Sequence, residues 1–235
     1  MEIFSTDFKP EPFWWDQSPS PNIEANKMPS AVDVAIVGSG YTGLCAALVL
    51  ARGGRAVTVF DAENAGWGCS SRNGGQISTS IKPSYKSLMR RFGEKSAYDI
   101  VKEGHKSLEW LKDFISSENI ECRFQVPGRF YAAHSQKEFD KLQKELSDQP
   151  AGLRVPLKVV ARSDQRQELG TDAYHGGAIF EVHASLDPAM YHRALLKRVL
   201  DAGVTIIPNC KVLGFKKTGT YLKCRPSVAQ PQLRM

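Results

Sequence analysis

Three glycines spaced as GxGxxG are the residues of this sequence with the clearest potential to bind a ligand. Gly38 permits a tight turn, Gly40 lets the backbone approach a pyrophosphate, and Gly43 allows a helix to pack closely on a strand. The N-terminus of that helix would present backbone N–H groups and a partial positive charge to phosphates. Tyr41 and Thr42 lie in the same turn and are included in the predicted site.

An acidic residue follows these glycines at the distance that a dinucleotide site requires. Asp61 lies 18 residues after Gly43, where a carboxylate can accept hydrogen bonds from both hydroxyls of an adenosine ribose. Each such charge-assisted bond is worth about 1.5–3 kcal/mol. The pattern predicts an adenine dinucleotide site and does not distinguish NAD from FAD. The alternative is an ordinary glycine-rich turn between a strand and a helix.

The elements that must position these residues are predicted in the required order. Apolar residues from 32 to 37 predict a first strand, residues 44–51 a helix, and residues 57–60 a second strand. This βαβ unit places the glycines at the first strand-to-helix turn and Asp61 at the end of the second strand. We therefore predict an α/β, Rossmann-like fold.

A second glycine-rich segment, GWGCSSRNGGQISTS, occupies residues 66–80. Its small residues would let a planar cofactor approach, its hydroxyl and amide groups would form hydrogen bonds, and its arginine is suited to phosphate. By itself the segment is also compatible with a plain loop, because Ser, Asn and Gly are common in turns. The candidate ligand residues are Ser70, Ser71, Arg72, Asn73, Gly74 and Gly75.

Taken together, GSGYTGLCAALVLARGG and GWGCSSRNGGQI resemble FAD-dependent amine and amino-acid oxidases of the glycine oxidase and D-amino-acid oxidase type, especially the gamma-glutamylputrescine oxidoreductase branch. The resemblance covers about residues 30–220 and is strongest up to Ser80. It implies FAD as the cofactor, and it implies that the main chain of Val212 binds adenine. The residues that it places around the pyrophosphate and the flavin ring are Ser70, Ser71, Arg72, Asn73, Gly74, Gly75 and Gln76.

The resemblance also implies a domain organisation. The predicted segments are an irregular arm (1–30), a first part of the FAD-binding domain (31–90), a substrate-domain insertion (91–185), a return to the FAD-binding domain (186–222) and an off-pattern tail (223–235). The expected fold is a Rossmann-like FAD-binding βαβ domain with a discontinuous α+β substrate domain, incomplete at its C-terminus. As an N-terminal fragment, the chain alone is expected to bind FAD poorly and to show no amine oxidation. Aromatic residues 13–15 of the arm are expected to clamp it to the domain; the alternative is closure over a site.

Periodicity predicts several elements after the glycine-rich segment. Helices are expected over residues 94–115 and 136–146, and strands over residues 128–133, 155–160, 176–180 and 204–207. A further helix is expected to begin with Asp187 as its N-cap and Pro188 at its first position, and to end at Gly203. Its inward-facing residues are predicted to be Met190, Leu195, Leu196, Val199 and Leu200.

Composition narrows the function classes. The net charge is +6, but 31 Lys and Arg are scattered among 25 acidic residues, so we expect no nucleic-acid partner. The five cysteines are odd in number and include no CxxC pair, which favours reduced, intracellular thiols without a metal site. The five histidines show no ligand spacing and are expected to be solvated or packed. No apolar run is long enough to span a membrane, so a cytoplasmic protein without a membrane partner is expected.

The implied activity is oxidation of an amine or amino acid. Hydride would pass from the carbon that bears the amine to the flavin, water would hydrolyse the imine, and oxygen or another acceptor would take the electrons. No residue is assigned as catalytic, because the cofactor supplies the chemistry. Two alternatives stay open, namely an NAD(P)-dependent dehydrogenase and an inactive fragment that acts as a binding module.

Overall fold

The predicted βαβ unit forms around the glycines as strand β1 (Val34–Val37), helix α1 (Tyr41–Arg52) and strand β2 (Val57–Phe60). The structure is a computed structural model that describes residues 3–24, 27–219 and 221–226. The later elements are β3 (Gln76–Ile77), α2 (Tyr85–Phe92), α3 (Glu94–Ser117), β4 (Arg129–Ala132), α4 (Gln136–Ser147), β5 (Leu157–Val160), β6 (Gly177–Phe180), β7 (Ala184–Ser185), α5 (Pro188–Asp201), β8 (Thr205–Ile207), β9 (Val212–Thr218) and β10 (Tyr221–Pro226).

These elements form two structural units, and the chain enters the first unit more than once. Unit 1 takes its described residues from Met1–Gly75, Ile120–Cys122 and Asp187–Met235, and unit 2 consists of Gln76–Asn119 and Arg123–Leu186. The predicted domain boundary after residue 90 falls inside unit 2, which already begins at Gln76. No helix in the described ranges is long and apolar enough to cross a membrane.

The sheet of unit 1 is parallel and has the order β1-β2-β8. Every residue of the central strand β2 is buried, whereas residues of β1 alternate between half-buried and exposed. Helix α1 packs against helix α5. The largest fully buried apolar side chains of these two helices are Leu44, Leu48, Leu195, Leu196 and Val199. The strands are therefore held by a core that joins two segments distant in sequence.

Helix α5 begins as predicted, but its buried face is shifted from the predicted one. Oδ1 of Asp187 accepts hydrogen bonds from the backbone N–H groups of Ala189 and Met190, both at 3.0 Å, so Asp187 is the N-cap. The prediction that Leu200 faces inward is wrong, because its side chain is 42% exposed. Tyr191 and His192 are buried instead. Residues 188, 192, 195, 196 and 199 form the buried stripe at helical spacing, and Leu200, four residues after Leu196, lies at its edge.

Unit 2 contains the elements predicted for the insertion and some that were not predicted. Strands β4, β6 and β5 form an antiparallel sheet in that order, and the short strands β3 and β7 pair with each other. Helices α3 and α4 follow the predicted apolar periodicity. Helix α2 was not predicted. Its apolar residues 85, 88, 89 and 92 have the spacing of one helix face, a signal that sequence reasoning missed because the helix spans only eight residues.

A hairpin of β9 and β10 ends the described part of unit 1. Residues 223–226 belong to strand β10, so the predicted off-pattern tail is wrong for these four residues. The strand escaped prediction because backbone pairing with β9 defines it, not an alternating apolar pattern. Residues 227–235 of the predicted tail lie outside the described residues.

Candidate dinucleotide site

The glycine turn after β1 has the geometry that a dinucleotide site requires. Gly38 adopts a φ of +93°, which favours glycine, and its N–H donates to the carbonyl oxygen of Phe60 at 2.8 Å. A Cβ atom on Gly43 would overlap the carbonyl oxygen of Gly38 and lie 3.4 Å from Cγ2 of Ile36. The turn therefore needs glycine at residue 38 for its backbone conformation and at residue 43 for packing, and the role of both residues in binding stays a prediction.

Helix α1 begins at the glycine turn without a side-chain cap. Gly40 is the N-cap and provides no side-chain hydrogen bond to the first turn. The N–H of Tyr41 donates to Oγ of Ser70 at 3.2 Å, and the exposed Thr42 and half-buried Gly43 continue the turn. Helix N-termini arranged in this way attract phosphate groups.

Asp61, at the end of β2, is tied directly to the glycine turn. Its Oδ2 accepts the N–H of Ser39 at 2.7 Å and also the Ser39 hydroxyl, and its Oδ1 accepts the N–H of Glu63 at 3.0 Å. A carboxylate has about four acceptor sites, so the described hydrogen bonds leave capacity on Oδ1. We expect one ribose hydroxyl to bind at Oδ1. The sequence suggested that Asp61 would bind both ribose hydroxyls.

The structure brings the two glycine-rich segments into contact within unit 1. A short 3-10 turn over Cys69–Ser71 places Oγ of Ser70 at the start of α1. A Cβ atom on Gly40 would lie 3.0 Å from that oxygen. Asn73 lies next to the same helix, with its Nδ2 3.5 Å from the Tyr41 hydroxyl and its Oδ1 accepting the N–H of Gly75 at 2.8 Å. Two motifs predicted separately thus contact each other at the start of α1.

Tyr41 acts at this surface as a neutral hydrogen-bonding group. Its hydroxyl donates to the carbonyl oxygen of Pro188 at 3.2 Å, and its ring contacts that of Tyr191 edge to face with centroids 5.1 Å apart. Burial raises the pKa of Tyr41 to about 12. The phenol therefore keeps its proton at neutral pH and adds no negative charge beside the expected phosphates.

The N-terminal arm is fastened to the second segment by two tryptophans. Nε1 of Trp14 donates to the carbonyl oxygen of Asn73 at 2.8 Å, and Nε1 of Trp15 donates to Oγ of Ser71 at 2.9 Å. The Ser71 hydroxyl in turn donates to the carbonyl oxygen of Gly66. The arm thus acts as the clamp that the aromatic residues predicted, and the residues that it holds are those of the candidate site.

We expect Trp15→Leu to lower the free energy of unfolding by about 1–3 kcal/mol, because the contacts of a half-buried aromatic ring and a hydrogen bond are lost together. Urea unfolding followed by fluorescence and circular dichroism would measure this. Phe13→Leu is the matched control, since Phe13 is 72% exposed and its replacement should cost within about 0.5 kcal/mol. Equal losses for both variants would show that the arm does not support the segment through Trp15.

Arg72 is exposed, and its guanidinium stacks on aromatic rings. The guanidinium carbon lies 4.2 Å from the ring centroid of Trp67 and 6.0 Å from that of Trp15. Stacking uses the face of the guanidinium and leaves its N–H edges for hydrogen bonding. The predicted contact of Arg72 with cofactor oxygens is compatible with this arrangement and stays a prediction.

Arg72→Ala is expected to weaken FAD binding by about tenfold to a hundredfold, because a charged hydrogen-bond donor is lost. Arg55→Ala is the control. Arg55 forms an exposed ion pair with Asp33, with Nη2 2.6 Å from Oδ1, and its loss should change affinity by about twofold or less. A flavin fluorescence titration would compare the two. Equal effects would remove Arg72 from the site.

Two predicted site residues lie away from the glycine turn. Val212 begins β9 and packs against a buried cluster of Phe60, Ile207 and Cys210, beside the strand end that carries Asp61. Gln76 lies in β3 of unit 2, where it pairs with Ser185 and is exposed. The predicted contacts of both residues with FAD stay predictions.

Sequence reasoning missed two buried residues that shape the turn. Ser39 is fully buried between the first two glycines, and its carbonyl oxygen lies 2.7 Å from Nε2 of His192 on α5. The signal available in the sequence was helical spacing, which places residue 192 on the same stripe as residues 188, 195 and 199. No group of three or more His, Cys, Asp or Glu side chains that could hold a metal ion occurs among the described residues.

Comparison with protein-family models matches residues 33–228 to a family described as FAD dependent oxidoreductase. The matched stretch covers most of the chain and includes the glycine turn, Asp61 and the segment over residues 66–80.

Curated relatives and solved structures agree with this match. The chain is 26% identical over 181 residues to Probable oxidoreductase OrdL of Haemophilus influenzae, covering 77% of this chain and 42% of that protein. It is 29% identical over 147 residues to gamma-glutamylputrescine oxidoreductase of Escherichia coli, covering 63% of this chain and 34% of that protein. The chain therefore spans less than half the length of these relatives.

The fold is similar to that of glycine oxidase from Geobacillus kaustophilus, with a TM-score of 0.71 at 18% identity. The likeness covers 83% of this chain and 51% of that chain. It confirms the predicted α/β, Rossmann-like fold.

Proposed function

The chain belongs to the FAD dependent oxidoreductase family, and on that premise we propose that it takes part in oxidising the C–N bond of a small amine or amino acid. The family match confirms the resemblance identified from the two glycine-rich motifs, and it confirms FAD as the predicted cofactor. The alternative of an NAD(P)-dependent dehydrogenase receives no support from the comparisons.

One observation carries the proposal for the site itself, namely the hydrogen bond from Tyr41 N–H to Oγ of Ser70. It joins the helix N-terminus that suits a pyrophosphate to the segment that suits a flavin. A Cβ at Gly40 or Gly43 would meet protein atoms within 3.4 Å, so both glycines are needed for the close packing that holds the turn, the helix N-terminus and the second segment together. The residues present therefore fit FAD.

The residues of the chain bind and orient the cofactor. Backbone N–H groups at the start of α1 would neutralise phosphate charge, and Oδ1 of Asp61 would accept a ribose hydroxyl. The segment over residues 70–75 would line the flavin, held from behind by the tryptophans of the arm. When bound, FAD supplies hydride acceptance from the carbon that bears the amine.

The substrate class rests on similarity. Relatives named for gamma-glutamylputrescine and glycine oxidation favour a small amine or amino acid, with oxygen or another molecule as electron acceptor. We assign no catalytic residue. A cytoplasmic location, with neither nucleic acid nor membrane as a partner, remains our expectation from composition.

The test is a comparison of FAD with NAD⁺ as ligands of the purified chain. We expect FAD to bind more tightly, and to be released into the supernatant by acid, because no cysteine or histidine lies within residues 70–80. Cys69 adjoins that stretch, so yellow precipitated protein would point to a covalent link there. Tighter binding of NAD⁺ would contradict the cofactor.

The reaction class is tested by anaerobic reduction of the bound flavin. Amines and amino acids form the test panel, and the matching 2-hydroxy acids, which differ only in the group that is oxidised, form the control panel. We expect any reduction of the flavin to come from the amines and amino acids and not from the hydroxy acids. Reduction by hydroxy acids alone would contradict C–N oxidation.

A further inference from the structure

We propose that His192 is a positioning residue for the cofactor pyrophosphate, because it holds the Ser39–Gly40 peptide with the Gly40 N–H turned toward the ligand. The inference rests on the proposed FAD function. It starts from a single contact, Nε2 of His192 at 2.7 Å from the carbonyl oxygen of Ser39. The imidazole is 1% exposed, so neither solvent nor substrate competes for this hydrogen bond.

Ser39 is held at three atoms. Its N–H and its hydroxyl both donate to Oδ2 of Asp61, and its carbonyl oxygen faces His192. The peptide between Ser39 and Gly40 is trans, so its N–H points opposite to its C=O. Fixing the carbonyl oxygen toward α5 therefore directs the Gly40 N–H away from the protein core. Asp61, which is expected to bind ribose, and His192, which orients this peptide, therefore act on opposite ends of Ser39.

The imidazole meets this task in its neutral form. A carbonyl oxygen can only accept, so Nε2 carries the proton and Nδ1 does not. Burial is the main cause that lowers the pKa of His192, with the Ser39 carbonyl and Asp61 opposing it. The neutral ring has one N–H group, and that group is the one that Ser39 uses.

The second glycine-rich segment leaves space for this ring. Gly66 adopts a φ of +81°, and a Cβ atom there would lie 2.6 Å from Cε1 and 2.7 Å from Nδ1 of His192. A side chain at residue 66 would push the imidazole away from Ser39. His192 thus lies between the two motifs, and Gly66 is required for its position.

A purely structural role for His192 would be packing, and two substitutions separate the roles. His192→Leu fills a similar volume without a donor, whereas His192→Gln keeps an N–H donor on a side chain of comparable length. If the hydrogen bond to Ser39 positions the turn, His192→Gln should keep the ADP affinity that His192→Leu loses. Packing alone would favour Leu, since an unmatched amide in the core is costly.

The experiment is calorimetric titration of the full chain with ADP, which carries the ribose and the pyrophosphate without the flavin. We expect His192→Leu to weaken ADP binding by about tenfold, which corresponds to the loss of one hydrogen bond. His192→Gln should recover most of the lost affinity. Val199→Ala is the matched control, because Val199 is a fully buried residue of the same helix. It should lower thermal stability and leave ADP affinity within about twofold.

A second readout does not need the ligand. In ¹⁵N-labelled protein without ADP, the amide signal of Gly40 should shift in His192→Leu, but not in Val199→Ala. Wild-type ADP affinity and an unchanged Gly40 signal in His192→Leu would overturn the inference while leaving the FAD function intact. The chain alone is expected to bind FAD weakly, so the titrations extend to high ligand concentration; if it bound neither ADP nor FAD even there, the proposed function and the ligand role of His192 would both fail.

Discussion

Gly43→Val is expected to abolish dinucleotide binding. A branched side chain at residue 43 would collide with the carbonyl oxygen of Gly38 and with Ile36, so α1 would have to move away from β1. The N–H groups at the start of α1 would move with it and lose their alignment with the phosphates. Since the overlap involves rigid backbone, no rotamer can relieve it, and we also expect a loss of stability of several kcal/mol.

Titration with FAD and ADP, together with thermal unfolding, would measure both effects. Gly68→Val is the control, because a Cβ at residue 68 would meet no atom within 4 Å and Gly68 has a φ of −71°. Gly43→Ala carries the same Cβ overlap with the Gly38 carbonyl oxygen without the extra methyl groups, so it should also lose binding. Parental FAD affinity in Gly43→Val would exclude the glycine turn from the binding site.

Asp61→Ala is expected to weaken ADP binding by about a hundredfold. The change removes the acceptor for a ribose hydroxyl, and it leaves the N–H and hydroxyl of the buried Ser39 without their described acceptor. Charge-assisted hydrogen bonds are worth about 1.5–3 kcal/mol each, and leaving a buried donor unpaired costs about 1–3 kcal/mol. Both consequences act on the same turn, so we expect the effect to exceed that of Arg72→Ala.

Comparison of ADP with 2′-deoxy-ADP separates the ribose contact from the effect on Ser39. The unsubstituted chain should prefer ADP, and Asp61→Ala should lose most of that preference because its hydroxyl partner is gone. Asp33→Ala is the matched control, since Asp33 is exposed and pairs with Arg55 at the surface. An undiminished preference for ADP in Asp61→Ala would show that another residue binds the ribose.

The part of the site that could be predicted is the part encoded by local pattern. Strand, glycine turn, helix and acid occur within residues 32–61, and each follows from spacing and residue type. The N-cap of α5 was predictable for the same reason, because Asp187 and Pro188 are adjacent and act on the next turn. The α/β fold followed from these local signals together.

The contacts that join the segments could not be predicted. His192 and Ser39 are 153 residues apart, and Trp15 and Ser71 are 56 apart. No local preference specifies such pairs, because packing between segments that are distant in sequence creates them. The sequence alone also does not show whether a histidine at the position of His192 is buried or exposed to solvent. Strand β10 escaped for a related reason, since its partner β9 and not its own side-chain pattern defines it.

The insertion of unit 2 between β2 and β8 has a consequence for biosynthesis. Strand β2 pairs with β1 on one side and with β8 on the other, through Thr58 and Thr205, so one edge of the central strand stays unpaired until the ribosome has translated β8. At about 5–20 residues per second this interval lasts roughly 7–30 s. During that time the nascent chain displays four apolar or hydroxyl side chains of β2 that the finished protein buries. We expect chaperone binding and protease sensitivity of the nascent chain to concentrate on this strand and to end once β8 is synthesised.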